Sequence, residues 1–157
     1  MVVDSFVQAA GMVSSLCVSG IIFTFSLGGV STAQLAATTS PVLSAKLWLN
    51  VYKRCHTIGT PMVVFSAACF GWLKYKTNNN VYLAAATSCL SIVPYTIVLL
   101  SGPEKILFAT ASQIQKPTSA SACEDARQAL HRWGAVNMLR AMFPLVGGIL
   151  VLGYHML

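Results

Sequence analysis

The last predicted helix of the chain carries three side chains that can do chemistry on one face. Trp133, Asn137 and Arg140 follow one another at spacings of four and three residues, and Pro144 continues the same stripe. An indole, an amide and a guanidinium offer a flat surface, hydrogen bonds and a fixed positive charge. Arg140 either extends its aliphatic stem toward the lipid headgroups or points into a bundle and binds an anion there. The amide on the same face favours the second interpretation, because lipid offers an asparagine no partner.

A second set of polar side chains lies in the segment LWLNVYKRCHTIGTP. Tyr52, His56 and Gly59 share one helical face, and His56 is expected at much the same membrane depth as Arg140. A neutral imidazole serves as a base, a hydrogen-bond partner or a metal ligand. The alternative is a histidine that simply lies among the headgroups.

The segment IVPYTIVLLSGPEK adds two further candidates. Pro94 removes a backbone hydrogen bond and permits a kink, which allows Tyr95 to aim its hydroxyl inward, and Glu104 follows at the same end of the segment. The polar candidates therefore converge on one end of a bundle whose remaining length is apolar: His56, Tyr95, Glu104, Asn137 and Arg140. This arrangement predicts a pocket for a hydrophobic, partly acidic small molecule that enters from the membrane.

The composition indicates that membrane-spanning helices position these residues. Hydrophobic residues make up 55% of the 157 residues and charged residues only 9%, whereas soluble domains carry roughly 25% charged residues. Long uncharged stretches recur at the length needed to cross a bilayer. The sequence predicts an all-α fold, a transmembrane four-helix bundle that forms a single membrane domain of residues 1–157. The spans are expected at about 5–30, 55–73, 81–101 and 136–156.

Local signals mark where these helices begin, turn and touch. Ser40 followed by Pro41 is typical of a helix start, and the sequence TNNN predicts the turn between the second and third spans. Gly11, Ser15 and Ser19 repeat every four residues, which predicts a close contact with another helix.

The basic residues are concentrated in two of the three loops. The net charge is +6, and seven of the ten Lys and Arg residues lie in the first and third loops. The positive-inside rule places those loops, including the loop 102–132 with its linker at 109–123, on the cytoplasmic side. The protein is therefore expected to be an integral, multi-pass protein of the endoplasmic reticulum or another internal membrane. Its basic residues are not interleaved with aromatic residues, so nucleic acid is not an expected partner.

The cysteines do not indicate a metal site. The five cysteines form no CxxC pair and no metal-ligand spacing, and no flavin or nicotinamide motif is present. A metal is therefore not expected, with one alternative: His56 could bind a haem iron, because helix bundles do hold haem.

Three segments of the chain resemble the anthrone oxygenase family, small membrane proteins of fungal and bacterial aromatic polyketide pathways. They are LWLNVYKRCHTIGTP, PYTIVLLSGPEKIL and LHRWGAVNMLRAMFPLVGG, and the resemblance covers about residues 45–150. The most specific part is W-x3-N-x2-R, formed here by Trp133, Asn137 and Arg140. The chain departs from the family at residues 102–104, the sequence GPE, where members usually carry an asparagine-containing segment close to P-T-N.

The resemblance implies a membrane-embedded monooxygenase that oxidises an anthrone-type aromatic polyketide to an anthraquinone with O₂. The acidic central methylene of an anthrone loses a proton to give a delocalised anion, which can pass an electron to O₂ directly. Such an enzyme needs a base, a cation and a water-poor pocket. On this interpretation His56 is the base, Arg140 holds the phenolate, and Asn137 orients the substrate carbonyl or a peroxy intermediate.

Aromatic and acidic side chains complete the substrate site that the resemblance implies: Trp133, Tyr52, Tyr95 and Glu104. No cofactor is required on this interpretation, since O₂ is the co-substrate; haem held by His56 is the alternative. The expected partners are the lipid bilayer and a hydrophobic aromatic small molecule, with self-association as a homo-oligomer left open. A non-catalytic four-span scaffold and a small-molecule-binding or transport protein are the competing functions.

Overall fold

The computed structural model describes residues 2–112 and 120–156. Across these ranges the regular structure is helical, and four segments are long and apolar enough to cross a membrane: Val2–Ala37, Pro41–Thr77, Asn80–Leu99 and Glu124–Met156. The prediction of an all-α fold with four spans is confirmed. Residues 113–119, which fall within the predicted linker 109–123, lie outside the described residues.

Short interruptions divide the spans into separate helices. The first span comprises α1 (Val2–Thr24), a π-helical turn (Phe25–Gly29) and α2 (Val30–Ala37), and the second is the single helix α3 (Pro41–Thr77). The chain continues through α4 (Asn80–Leu90), α5 (Ile92–Leu99), α6 (Ser101–Ala111), α7 (Ala120–Arg140) and α8 (Met142–Met156). The predicted loop 102–132 thus consists largely of α6 and the first half of α7.

The breaks in the later helices share one cause, a proline three residues downstream. They lie at Ser91, Leu100 and Ala141, ahead of Pro94, Pro103 and Pro144. Proline has no N–H to continue the helical hydrogen bonds and its ring crowds the preceding turn, so it fits best in the first turn of a new helix. The kink predicted at Pro94 is found as the break at Ser91. By contrast, Pro61 lies inside α3 without ending it.

The boundaries of α3 follow the predicted signals. The Ser40 hydroxyl accepts a hydrogen bond of 3.3 Å from the backbone N–H three residues later, and Pro41 occupies the first turn. Asn78 ends the helix with a φ of 53°, a left-handed conformation that asparagine tolerates well. Asn79 then accepts a bond of 2.9 Å from the N–H of Val81 and starts α4.

Small residues of α1 bring it close to α3 and α8. A Cβ added to Gly11 would lie 2.9 Å from a phenylalanine ring of α3. The hydroxyl of Ser15 donates to the carbonyl of Pro144, and that of Ser19 donates to the carbonyl of Ala141 at 2.9 Å. The helix contact predicted from this four-residue repeat is confirmed.

The buried apolar side chains of the described residues form two clusters, one toward each end of the bundle. The first cluster joins α1, α3, α4 and α8 around Phe70 and Cys89. The second joins the π-helical turn, α2, α3, α6 and α7 around Trp48 and Trp133. Between the clusters, the first, third and fourth spans are interrupted, whereas α3 continues without a break. Helices that bend at one level leave space there, and a cavity occupies this level.

The contact between α4 and α8 predicts different stabilities for two glycine substitutions. A Cβ on Gly147 would lie 2.8 Å from the sulfur of Cys89 and 3.0 Å from the carbonyl oxygen of Ala85, whereas a Cβ on Gly153 meets nothing within 4 Å. We expect Gly147→Ala to destabilise the protein by about 1–3 kcal/mol through overpacking. Gly153→Ala should not lower stability, because alanine is the better helix former. Thermal unfolding of the two detergent-purified variants tests this, and equal Tm values would contradict it.

Candidate active site

A cavity of about 260 Å³ lies between the two apolar clusters. Buried residues of α1, the π-helical turn and α7 form its floor, among them Ile22, Phe25 and Trp133. Residues of α3 and α5 form its rim, where Val64 and Ile97 are 57% and 65% exposed. Its volume is just below that of typical small-molecule sites, roughly 300–1,000 Å³.

Five of the seven site residues predicted from the sequence line this cavity: Tyr52, His56, Trp133, Asn137 and Arg140. The rings of Tyr52 and Trp133 lie 6.3 Å apart, so the polar faces of α3 and α7 meet directly. Tyr95 and Glu104 do not line the cavity. Tyr95 contacts Val136, which precedes the cavity residue Asn137, and Glu104 contacts the cavity residue Trp133.

Tyr95 joins α5 to α7. Its hydroxyl donates to the carbonyl of Val136 at 3.0 Å, and its ring packs edge-on against Phe143 at 5.0 Å. Because Val136 directly precedes Asn137, this bond fixes the backbone from which the cavity amide projects.

Glu104 joins α6 to the indole of Trp133. The carboxylate accepts a hydrogen bond of 3.2 Å from Trp133 Nε1. The indole is also enclosed by aromatic edges, with ring-centre distances of 5.4 Å to Phe25 and 5.5 Å to Trp48. One hydrogen bond and two perpendicular rings therefore set the orientation of the surface that Trp133 presents to the cavity.

Asn137 is 2% exposed and is held in one orientation by Ser26. Asn137 Nδ2 donates to the Ser26 hydroxyl oxygen at 2.8 Å, and that hydroxyl donates onward to the carbonyl of Ile22 at 2.9 Å. Because the only hydrogen of the hydroxyl is used in the second bond, the first bond requires the amide nitrogen rather than the amide oxygen. The amide oxygen is thereby left to accept a hydrogen bond from a ligand.

The π-helical turn explains how Ser26 reaches Asn137. A π-helical turn contains an extra residue and rotates the following helix relative to an α-helix, and such turns are frequent at functional sites. Here it directs both Phe25 and Ser26 toward α7. The approach of α2 to α7 is also close, since a Cβ on Gly134 would lie 2.8 Å from a methyl group of Val30.

Arg140 brings positive charge into an otherwise largely apolar cavity. Its Nε is buried and has no hydrogen-bond partner among residues 2–112 and 120–156. A buried donor on a charged group that lacks a partner is costly, and the cavity wall around it contains mainly aliphatic and aromatic side chains. The site is therefore arranged to gain free energy when an anion or a strong acceptor arrives.

His56 lies at the exposed rim of the cavity. Its ring stacks on Tyr52 with centres 5.7 Å apart and planes inclined by 10°, and its Nδ1 lies 3.4 Å from the hydroxyl of Thr60. That contact leaves Nε2 for a ligand. In the part of the chain that the structure describes, no group of three or more His, Cys, Asp or Glu side chains is placed to hold a metal ion.

Sequence reasoning missed several residues of the site. Phe25 and Ser26 carry no signal of their own, because a phenylalanine and a serine in an apolar span are also ordinary packing residues. Thr60 also lines the cavity, and it could have been found from its position one helical turn after His56.

Comparison with known proteins identifies relatives with named activities. The profile of the anthrone oxygenase family matches residues 48–150. The anthrone oxygenase encC of Aspergillus fumigatus is 26% identical, over 94% of this chain and 91% of that protein. The anthrone oxygenase tpcL of the same species is 23% identical, over 91% and 89%. A noranthrone monooxygenase of Aspergillus flavus is 23% identical over 74% of this chain.

These matches extend over the cavity. The chain spans 58% of the length of the Aspergillus flavus enzyme, and no solved structure matches it significantly. The matched residues 48–150 include the polar groups that α3 and α7 contribute to the cavity, from Tyr52 to Arg140. The chain belongs to the anthrone oxygenase family.

Proposed function

We propose that the protein is a membrane-embedded monooxygenase that oxidises an anthrone-type aromatic polyketide to an anthraquinone with O₂. The observation that carries the proposal is the buried, unpartnered Nε of Arg140 beside the fixed amide of Asn137 in an apolar cavity. An anthrone is a flat, hydrophobic molecule that becomes an anion when it reacts. It therefore matches both the walls and the charge of this cavity.

The reaction starts with removal of a proton from the central methylene. We assign the base to His56, whose Nε2 is left for a ligand at the rim. The resulting anion spreads its charge onto the carbonyl oxygen, where Arg140 stabilises it. Electrostatic stabilisation of this kind is strongest where water is excluded.

The anion then transfers an electron to O₂, and the two radicals combine at the former methylene carbon to give a peroxide. Loss of water from the peroxide leaves the new carbonyl. One oxygen atom of O₂ is thus retained in the quinone, and the other leaves as water with the two methylene hydrogens. The substrate anion supplies the electrons, so we propose that no organic cofactor or metal is required.

The orientation of Asn137 points to a specific contact with the substrate. Its amide oxygen is available as an acceptor, which suits a phenolic hydroxyl on the ring system rather than the substrate carbonyl expected from the sequence, because a carbonyl oxygen has no hydrogen to donate. Trp133 and Tyr52 supply flat surfaces for the rings. We assign positioning roles to Tyr95 and Glu104, through Val136 and Trp133 respectively.

We also propose a location and an orientation. The four apolar spans are consistent with an integral membrane protein, and we assign residues 1–157 to one domain of an internal membrane such as the endoplasmic reticulum. The charge distribution supports a cytoplasmic position for residues 102–132.

Replacement of Arg140 tests the anion site. We expect Arg140→Leu to lower kcat/KM for a hydroxylated anthrone by about 100-fold or more, because a preorganised cation at the developing oxyanion is lost. O₂ uptake by detergent-purified protein measures this. Arg132→Leu, which removes an exposed charge from the same helix, is the matched control. Unchanged activity in Arg140→Leu would mean that the side chain only extends toward the lipid headgroups and does not bind the substrate anion.

Replacement of His56 tests whether this residue acts as a base or as a haem ligand. We expect the purified wild-type protein to lack a Soret band and to consume O₂ with emodin anthrone, and His56→Ala to lose about 100-fold or more in rate. A Soret band that disappears in His56→Ala would instead assign His56 as an axial ligand of haem.

Ser26 is expected to act through Asn137. Loss of its hydroxyl frees the amide to rotate, so Ser26→Ala should lower kcat by about five- to tenfold, the value of one hydrogen bond. Ser26→Thr keeps a hydroxyl and should retain more activity. Ser66→Ala is the control, since Ser66 is also buried and donates to the carbonyl of Met62, and neither residue lines the cavity. Equal kcat values for the two alanine variants would contradict the positioning role.

A further inference from the structure

We propose that the aromatic substrate reaches the cavity sideways from the bilayer, through an opening between α3 and α5 bordered by Thr60, Val64, Val93 and Ile97. The identity of the ligand rests on the proposed function. The position of the opening rests on the burial, packing and chemistry of the residues around the cavity.

The side chains that line the cavity are buried on one side of it and exposed on the other. On the α1 side, Val18 and Ile22 are buried. On the opposite side, Val64, Val93 and Ile97 are 57%, 52% and 65% exposed, yet they line the same space. Side chains that face both the cavity and the outside of the bundle define an opening, and this one is on the side of the bundle rather than at an end.

The packing of α5 accounts for the opening. Breaks at Ser91 and Leu100 isolate α5 as a helix of eight residues, of which only Ile92 is buried. Apart from α4 and α6, which adjoin it in the chain, this short helix contacts α7 through Tyr95, and its contact with α3 is sparse. The wall between α3 and α5 is therefore incomplete at the level of the cavity.

Packed side chains fill both ends of the bundle. The second cluster closes one end with side chains that are almost completely buried: Trp48, Leu100, Leu107, Leu130 and Trp133. The first cluster fills the other end around Phe70 and Leu73. A planar ring system would have to displace one of these packed cores to enter along the bundle axis.

The chemistry of the opening suits a lipid-dissolved aromatic molecule. Its border consists of aliphatic side chains and the hydroxyl of Thr60, and it lies within the second and third spans, where acyl chains rather than water surround the protein. An apolar polycyclic molecule is concentrated in the bilayer by the hydrophobic effect. Asn137 and Arg140 line the cavity but do not border this opening, so we expect the hydroxylated edge of the substrate to enter first.

Tryptophan substitutions at the opening test the route. We expect Val93→Trp and Ile97→Trp to narrow it, so that association and dissociation of a non-reactive anthraquinone both slow by about tenfold, whereas a mere loss of cavity volume would speed dissociation. Val93→Ala should speed both steps. Val146→Trp and Ile149→Trp on α8 are matched controls, because these residues are also lipid-facing, 42% and 52% exposed, but do not line the cavity.

The readout is the stopped-flow absorbance change of the anthraquinone with protein in lipid vesicles. Rate constants that match those of the α8 controls would overturn the lateral route, as would a wild-type protein that binds no anthraquinone. A third outcome separates the two proposals. If the wild-type protein binds the anthraquinone and Val93→Trp slows that binding, but the wild type consumes no O₂ with an anthrone, the lateral route is supported and the proposed oxidation is rejected.

Discussion

The buried Nε of Arg140 is the physical constraint around which the site is organised. Removing a cation from water into an apolar bundle costs free energy of desolvation, which apolar packing does not offset. The Nε of Arg140 also has no hydrogen-bond partner in the described part of the chain. The guanidinium lines a cavity, where a bound anion can reach it. The protein is thus less stable than a fully packed bundle of the same length would be, and the binding of an anion offsets part of that cost.

The cavity follows from interruptions of three spans at one level. Pro94 and Pro144 break the third and fourth spans, and the π-helical turn Phe25–Gly29 interrupts the first. The continuous helix α3 holds the two apolar clusters together across this level, since it contributes to both. The same interruptions therefore create the space, direct Ser26 toward Asn137, and leave α5 as a short helix beside an incomplete wall.

The sequence predicts the parts of the site that lie on one helix better than those that depend on contacts between helices. The stripe Trp133–Asn137–Arg140 is visible because helical periodicity and the cost of polar groups in lipid point to the same face. Glu104 was predicted as part of the substrate site, and the sequence did not reveal that it accepts a hydrogen bond from Trp133, a partner that depends on how α6 is placed after the break at Leu100. The π-helical turn was not predicted, because the segment FSLGG is equally compatible with an α-helix.

The most direct test of the anion site is the relative affinity for an ionised hydroxyanthraquinone and its neutral O-methylated analogue. The wild-type protein should bind the ionised form about 100-fold more tightly, which corresponds to about 2.7 kcal/mol. The absorbance spectrum of the bound form reports its ionisation directly. In Arg140→Leu this preference should disappear while the neutral analogue binds as before. An equal preference in both proteins would contradict the account, because the charge of Arg140 would then play no part in recognition.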